Sequence, residues 1–263
     1  KIPEKRRRGS IPAAVRSLLR RPAAAPSPLQ VAREYGRRLT RPVAESRCDV
    51  VIAPMAARLV AFSEIDQPIL SLSDATFRVM EDYYPSFTGL SDEVRAERNE
   101  VEQRALDKSD LVSYPSKWAA NSAQRDYGVD PDKIRDVPWG GSLEPPENHI
   151  DWARRFPLDQ CRLLFICLDW KRKGGDIAAH VVQELVRMGQ PARLTAVGVS
   201  LPNAPAYTTF TGYLNQNEPH DRLKLLELLS THHFLIFPTR AECWGHVACE
   251  AQAFGLPVIT TNT

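Results

Sequence analysis

From Asp49 onward the chain alternates short apolar runs with longer amphipathic stretches. Four strand-like runs come first: "DVVIAP" (Asp49–Pro54), "PILSLS" from Pro68, "DLVSYPS" from Asp110 and "KIRDVPW" from Lys133. The first two read as buried strands. Between the second and third, Asp92–Lys108 is highly charged, with Val94, Val101 and Ala105 spaced for one apolar helical stripe. Ser91 is placed to cap that helix. Ser116 is placed to cap "KWAANSAQRDY", and Gly128 to stop it.

The second half repeats the scheme. "CRLLFICL" (Cys161–Leu168) reads as a strand and Gly175–Gly189 as an amphipathic helix closed by glycine. "ARLTAVG" and "TTFTGYL" read as strands, "DRLKLLELLSTHH" as a helix and "FLIFPT" as a strand. A further helix runs from near Gly245 to Phe254, with Gly255 at its end and Pro257 beyond; "PVITT" is a last strand. Strands alternating with helices of this length predict an α/β protein with parallel sheets and helices on both faces. The turn-rich stretch Gly140–Trp152 separates the halves and reads as a linker.

The expected organisation is two Rossmann-like, doubly wound lobes, both incomplete. Residues 1–48 hold a basic segment and the incomplete start of the first lobe, 49–146 that lobe, 147–160 a linker, and 161–263 the second lobe. Within the start, Ala13–Arg20 could form a short helix and Leu29 to about Leu39 a basic one. The first residue is Lys1 and the last apolar run breaks off at "TTNT", so the chain is expected to be a piece of a longer protein.

Charge changes this picture mainly at the start. Residues 1–41 carry twelve Lys/Arg against two Glu, so +10 of charge sits there and −8 on the rest of a chain whose net charge is +2. Such a segment is either a solvated arm or a contact for anionic lipid. No basic motif with interleaved aromatics occurs, so nucleic acid is not expected. No run of eighteen apolar residues is present. The five cysteines (Cys48, Cys161, Cys167, Cys243, Cys249) form no CxxC pair and read as reduced thiols of a cytosolic protein. Cys243, His246 and Cys249 lie close together without a zinc spacing, and no metal site is expected. The expected location is cytoplasmic, with peripheral contact at the inner membrane face through the basic start as the alternative to a solvated arm.

Ligand sites of doubly wound sheets lie beyond the carboxyl ends of the strands, and two stretches after strands carry chemistry. "CLDWKRKGGD" (Cys167–Asp176) presents Arg172 and Lys173 followed by Gly174 at a helix start. Cations beside free helix N–H groups suit a phosphate. The stretch is neither a GxxxxGK[ST] loop nor a GxGxxG fingerprint, and a basic turn with a glycine hinge is the plainer alternative. "FPTRAECWGHVACEAQAFGLPVIT" sets Thr239 and Glu242 in a loop and Glu250 inside the following helix. Carboxylates accept hydrogen bonds from the vicinal hydroxyls of sugars. Two structural glutamates, bonded to backbone or Arg, would show the same pattern.

The spacing Pro238-Thr239-x-x-Glu242-x-x-Gly245-x4-Glu250-Ala251-x-Ala253-x-Gly255-x-Pro257-Val258 resembles the glutamate-seven-glutamate motif of glycosyltransferase family 4, retaining enzymes of the GT-B fold. "DWKRKGGD" resembles the family's Arg/Lys-Gly diphosphate loop. "DLVSYPSKWAANSAQRDYGVDPDKIRDVPWGG" resembles the stretch closing its first lobe, and "SLSDATF" (Ser71–Phe77) a first-lobe segment of some members. The resemblance spans roughly Asp49–Thr263. It implies hexosyl transfer from a UDP- or GDP-sugar donor to a hydroxyl of a carbohydrate, lipid or small-molecule acceptor, with retention and without a metal or other cofactor. Glu242 would bind the donor sugar and Glu250 the ribose. Amides around Trp244, Gly245 and His246 would face the diphosphate, with Arg172, Lys173, Gly174 and Thr239 lining the donor site. Asp74, just after a strand, would face the cleft as a second catalytic group; a helix N-cap before "ATFRVM" is the alternative.

Some positions depart from the family pattern. Leu168 and Asp169 stand where a Gly and an Arg are usual, Trp244 replaces a Phe and Cys243 a Gly. The family's glycine-rich first-lobe loop and the last elements of its donor lobe have no counterpart, so this stretch alone is expected to be inactive. A non-catalytic nucleotide-sugar-binding or interaction module is the main alternative, and an epimerase or phosphorylase on a related fold a third.

Overall fold

The computed structural model describes residues 26–145, 152–155 and 159–262. The expected helix at Ala13–Arg20, most of the basic start and the middle of the linker lie outside these residues. The first described helix, α1 (Pro28–Ser46), opens with a capping box: Gln30 N donates to Ser27 Oγ, and Ser27 N to Gln30 Oε1. It continues past the expected end at Leu39 and through Pro42. Just past the expected end, Thr40 Oγ1 accepts from Glu64 N at 2.9 Å, which ties the added turns to a segment 24 positions on. Ala32 and Gly36 are buried, and a Cβ at Gly36 would stand 2.4 Å from the Phe62 carbonyl carbon, so this helix lies directly on its neighbour's backbone.

The first sheet follows: β1 (Val51–Pro54), α2 (Ala57–Val60), β2 (Ile69–Leu72), α3 (Phe77–Met80), α4 (Asp92–Lys108), β3 (Leu111–Tyr114), α5 (Lys117–Tyr127) and β4 (Ile134–Asp136). Its strands are parallel in the order β1-β2-β3-β4. The caps expected at Ser91, Ser116 and Gly128 are all in place. "DVVIAP" differs from expectation. Only Ala53 is buried and Ile52 is 64% exposed, because β1 is the edge strand among the described residues.

The second sheet holds β5 (Cys161–Ile166), α6 (Gly175–Arg187), β6 (Ala192–Val197), β7 (Thr208–Gly212), α7 (Pro219–Thr231), β8 (Phe234–Phe237), α8 (His246–Ala253) and β9 (Val258–Thr260). Its order is β7-β6-β5-β8-β9, all parallel. The chain runs outward from β5 to β7, then returns to start again at β8 on the other side of β5. Among the described residues that reversal occurs in the second sheet only, since the first runs in simple order.

Alternation along β5 feeds both faces of this sheet. Leu163 and Phe165 join Ala178, Ala179 and Val182 of α6 in one buried cluster. Leu164 joins Leu225 and Leu229 of α7 and Ala251 and Phe254 at α8 in another. Each large side chain buried this fully contributes roughly 1.5–3 kcal/mol over its exposed state. Leu143, from the segment after β4, is also buried in the second cluster, which anchors the connection between the sheets on the second lobe. Among the described residues no helix is long and apolar enough to cross a membrane.

Candidate functional site

The loops after β5 and β8 sit side by side where the second sheet reverses, the position at which doubly wound sheets open a crevice. They are joined by backbone. Arg240 N donates to Arg172 O at 2.8 Å. The Arg240 guanidinium grips both oxygens of Asp176 at 2.8 and 2.9 Å and the Lys171 carbonyl at 2.6 Å. That grip, with Lys171 added, holds the Asp176 carboxyl down at about 2. The loop itself turns tightly: Arg172 N donates to Asp169 Oδ1, Lys173 N to Asp169 O and Gly175 N to Trp170 O. Asp169, at an Arg position of the family pattern, therefore shapes the turn. Gly174 has φ +77°, and a Cβ there would lie 2.0 Å from the Pro238 carbonyl oxygen.

This turn aims both expected cations inward. Lys173 Nζ forms an ion pair with Glu242 Oε2, stands 4.8 Å from the Phe237 ring centroid, and both paired side chains are mostly buried. Arg172 donates to the Ala241 carbonyl at 2.9 Å and lies over the Tyr84 ring at 5.1 Å. Thr239 is buried, with its hydroxyl donating to Ala241 O at 3.0 Å. Glu242 Oε1 accepts from Cys243 N at 3.3 Å. Cys243 itself is buried, and burial pushes its thiol up to about 12, so it stands as the neutral thiol at neutral pH. Among the described residues no three His, Cys, Asp or Glu side chains are grouped to hold a metal ion.

Gly245, with φ +83°, starts α8 one residue before its first helical position. His246 Nδ1 lies 3.2 Å from Gly140 O, and its ring stacks on Trp139 at 5.5 Å. Trp244 Nε1 donates to Trp139 O at 3.1 Å. One and a half turns in, Glu250 points neither at the sheet nor at an Arg. Its Oε1 accepts from Ser142 Oγ at 2.6 Å and Ser142 N at 3.2 Å, with Gly141 against its side chain. The segment 139–142 thus lies along the α8 N-terminus.

Asp74 reaches the same cleft from the first lobe. The N-cap alternative fails, because α3 begins at Phe77 and its cap residue is Thr76, without a side-chain cap bond. Asp74 Oδ1 is buried without a hydrogen-bond partner among the described residues. Burial, and then the charge of Glu242, raise the Asp74 carboxyl above its ordinary value, while His246 opposes the rise. Asp74 therefore lies within electrostatic reach of Glu242 and His246.

Four participants were not among the expected site residues: Tyr83, Tyr84, Trp139 and Ser142. Tyr83 Oη accepts from Glu242 N at 3.0 Å and lies 3.2 Å from Glu242 O. The only local signal for the first two is an aromatic pair in a turn-rich stretch, "EDYYPS"; Trp139 closes the strand-like run "KIRDVPW", and Ser142 stands in the linker stretch.

The comparisons bear on this geometry. Residues 160–263 match the family described as "Glycosyl transferases group 1". A D-inositol 3-phosphate glycosyltransferase of Acidothermus cellulolyticus is 28% identical over 191 residues, covering 61% of this chain and 41% of the relative. The chain thus spans about two fifths of that relative's length. A sucrose-phosphate synthase of Thermosynechococcus elongatus aligns with TM-score 0.61 at 20% identity over 86% of this chain and 59% of that one. A structure described as a putative UDP-N-acetylglucosamine 2-epimerase from Listeria monocytogenes aligns with TM-score 0.56 at 14% identity over 90% and 63%. These structural likenesses establish the GT-B-type fold.

Proposed function

We propose that the complete protein is a retaining glycosyltransferase using a UDP- or GDP-sugar, a reading supported by the match of residues 160–263 to the group 1 glycosyltransferases and by the GT-B-type scaffold. The observation that carries the reading is the meeting, at the sheet reversal, of Lys173 and Glu242 with the α8 N-terminus and Glu250 nearby. The sugar C1–O bond to the diphosphate breaks, a C1–O bond to the acceptor hydroxyl forms on the same face, and the acceptor proton leaves with the departing nucleoside diphosphate.

In this reading Lys173, Arg172 and the free N–H groups of α8 stabilise the charge growing on the leaving diphosphate. The Lys173–Glu242 pair is the resting form of that arrangement: an incoming diphosphate draws Lys173 and frees Glu242 for donor-sugar hydroxyls. Glu250 exchanges Ser142 for the ribose hydroxyls. Trp244, Gly245, His246 and Thr239 line the diphosphate and sugar. Asp74 is assigned to orienting the acceptor hydroxyl from the first-lobe side, while the proton of that hydroxyl goes to the leaving diphosphate. None of these roles requires a metal ion.

The epimerase reading has the fold likeness in its favour. The seven-residue glutamate spacing and the group 1 match favour transfer. Calorimetry of the complete protein against UDP- and GDP-sugars tests the proposal. Binding with product formation is expected, and absence of binding across the panel sinks it.

A further inference from the structure

The turn after α3 reaches across the cleft and takes hold of the loop that carries Glu242. Tyr83 Oη is within hydrogen-bond distance of both backbone groups of Glu242, 159 residues away, accepting from its N–H at 3.0 Å and donating to its carbonyl at 3.2 Å. The neighbouring Tyr84 ring lies under the Arg172 guanidinium at 5.1 Å. One aromatic doublet of the first lobe thus touches both the carboxylate loop and the basic loop of the second. The two contacts differ in chemistry: one is directional and backbone-specific, the other a cation held against a π face.

The doublet is held firmly from behind. Asp82 has φ +56°, a costly conformation for a residue with a side chain. Arg95 of α4 fixes it with two bonds to the Asp82 carboxylate, each 2.9 Å, and a third to Glu81 at 2.8 Å. Tyr83 also packs edge-on against Trp118 at 5.7 Å.

We propose that Tyr83 and Tyr84 form an interlobe latch that positions Glu242 and Arg172 against Asp74 when the cleft is closed. They are positioning residues: neither needs to touch donor or acceptor. The inference rests on the donor-site reading above for its chemical purpose, but the latch itself is a property of the protein without ligand.

Two measurements on the complete protein separate these parts. In Tyr83→Phe the Glu242 amide loses its acceptor, so its hydrogen exchange should speed up about tenfold, with amides of β5 and β8 unchanged as internal references. In the same variant kcat should fall about tenfold while the Kd for the nucleoside diphosphate stays within twofold, because Glu242 is placed less firmly and the diphosphate contacts are intact. Tyr84→Phe, which keeps the ring under Arg172, should retain activity, whereas Tyr84→Leu should lose it. Unchanged Glu242 exchange in Tyr83→Phe overturns the latch. Faster exchange with unchanged kcat overturns its positioning role. If the wild-type protein transfers sugar from no donor, the donor-site reading fails, and the exchange measurement alone decides the latch.

Discussion

Gly174→Ala is the substitution whose consequence can be worked most directly from the coordinates. Gly174 sits at φ +77°, and its added Cβ would meet the Pro238 carbonyl oxygen at 2.0 Å and the carbonyl carbon at 2.8 Å. The left-handed conformation alone costs an alanine roughly 1–2 kcal/mol. Ordinary contact begins near 3.4 Å, so the two loops must also separate by more than an ångström. Backbone on both sides blocks relief by a rotamer change. Separation breaks the Arg240 N–Arg172 O bond and pulls Lys173 from Glu242. The strain corresponds to a fall in Tm of roughly 2–8 °C for a domain of this size. A displacement near 1 Å at a charge-stabilising loop costs on the order of a hundredfold in rate, and affinity for UDP or GDP should fall with it as the diphosphate contacts are pulled apart. Gly189→Ala is the control. Its φ is +83° but nothing lies within 4 Å of the added Cβ, so it should lose stability alone. The assay pairs thermal unfolding with calorimetric titration. Nucleotide affinity equal in Gly174→Ala and Gly189→Ala would refute the steric reasoning.

Three further outcomes are expected. Glu242→Gln should cut turnover by about 10²–10³-fold and leave nucleotide affinity nearly intact; an unchanged single-turnover rate removes Glu242 from the chemistry. Glu250→Ala should weaken nucleoside diphosphate binding roughly 10–100-fold, the range for lost hydrogen bonds to a charged group, and should affect the corresponding 2′,3′-dideoxy nucleotide far less. Acid should destabilise the second lobe through His232, which is 5% exposed and bonded to Leu228 O and Thr195 Oγ1. Burial is the main cause that pushes its pKa from 6.5 down to about 4. The unfolded chain therefore takes up the proton first. This contribution is fully present above pH 6.5 and is lost as pH falls toward 4, amounting to about 3 kcal/mol. Urea midpoints compared between pH 7.5 and 4.5 should show that loss in the wild type and much less of it in His232→Gln.

Helix ends were legible wherever a local signal exists. Ser91 and Ser116 accept from backbone three residues on, and Gly128 ends α5 in the left-handed region, as their residue types predict. α1 runs longer than its local pattern predicts, and the contact past Leu39 is with Glu64, whose N donates to Thr40 Oγ1 from 24 positions away in sequence. "DVVIAP" looked buried because apolar content alone does not distinguish a central strand from an edge one. Short α2 and α3 offered too few turns for any periodicity to register.

The candidate site divides along the same line. The residue types and spacing of Lys173, Glu242, Gly245 and Glu250 are sequence properties, and with them come the loop, the helix start and the family resemblance. Only the tertiary structure decided that the loops after β5 and β8 are neighbours, since strand order follows from packing and not from chain order. Only it could set Tyr83 on the backbone of Glu242, Ser142 on Glu250 and the Asp74 carboxyl into a cleft shared with Glu242 and His246. Local sequence encodes dihedral preferences and the chemistry a side chain can offer. Which groups lose their water to one another depends on where the two sheets come to rest, and in that burial the Asp74 proton affinity and the Lys173–Glu242 pair have their physical cause.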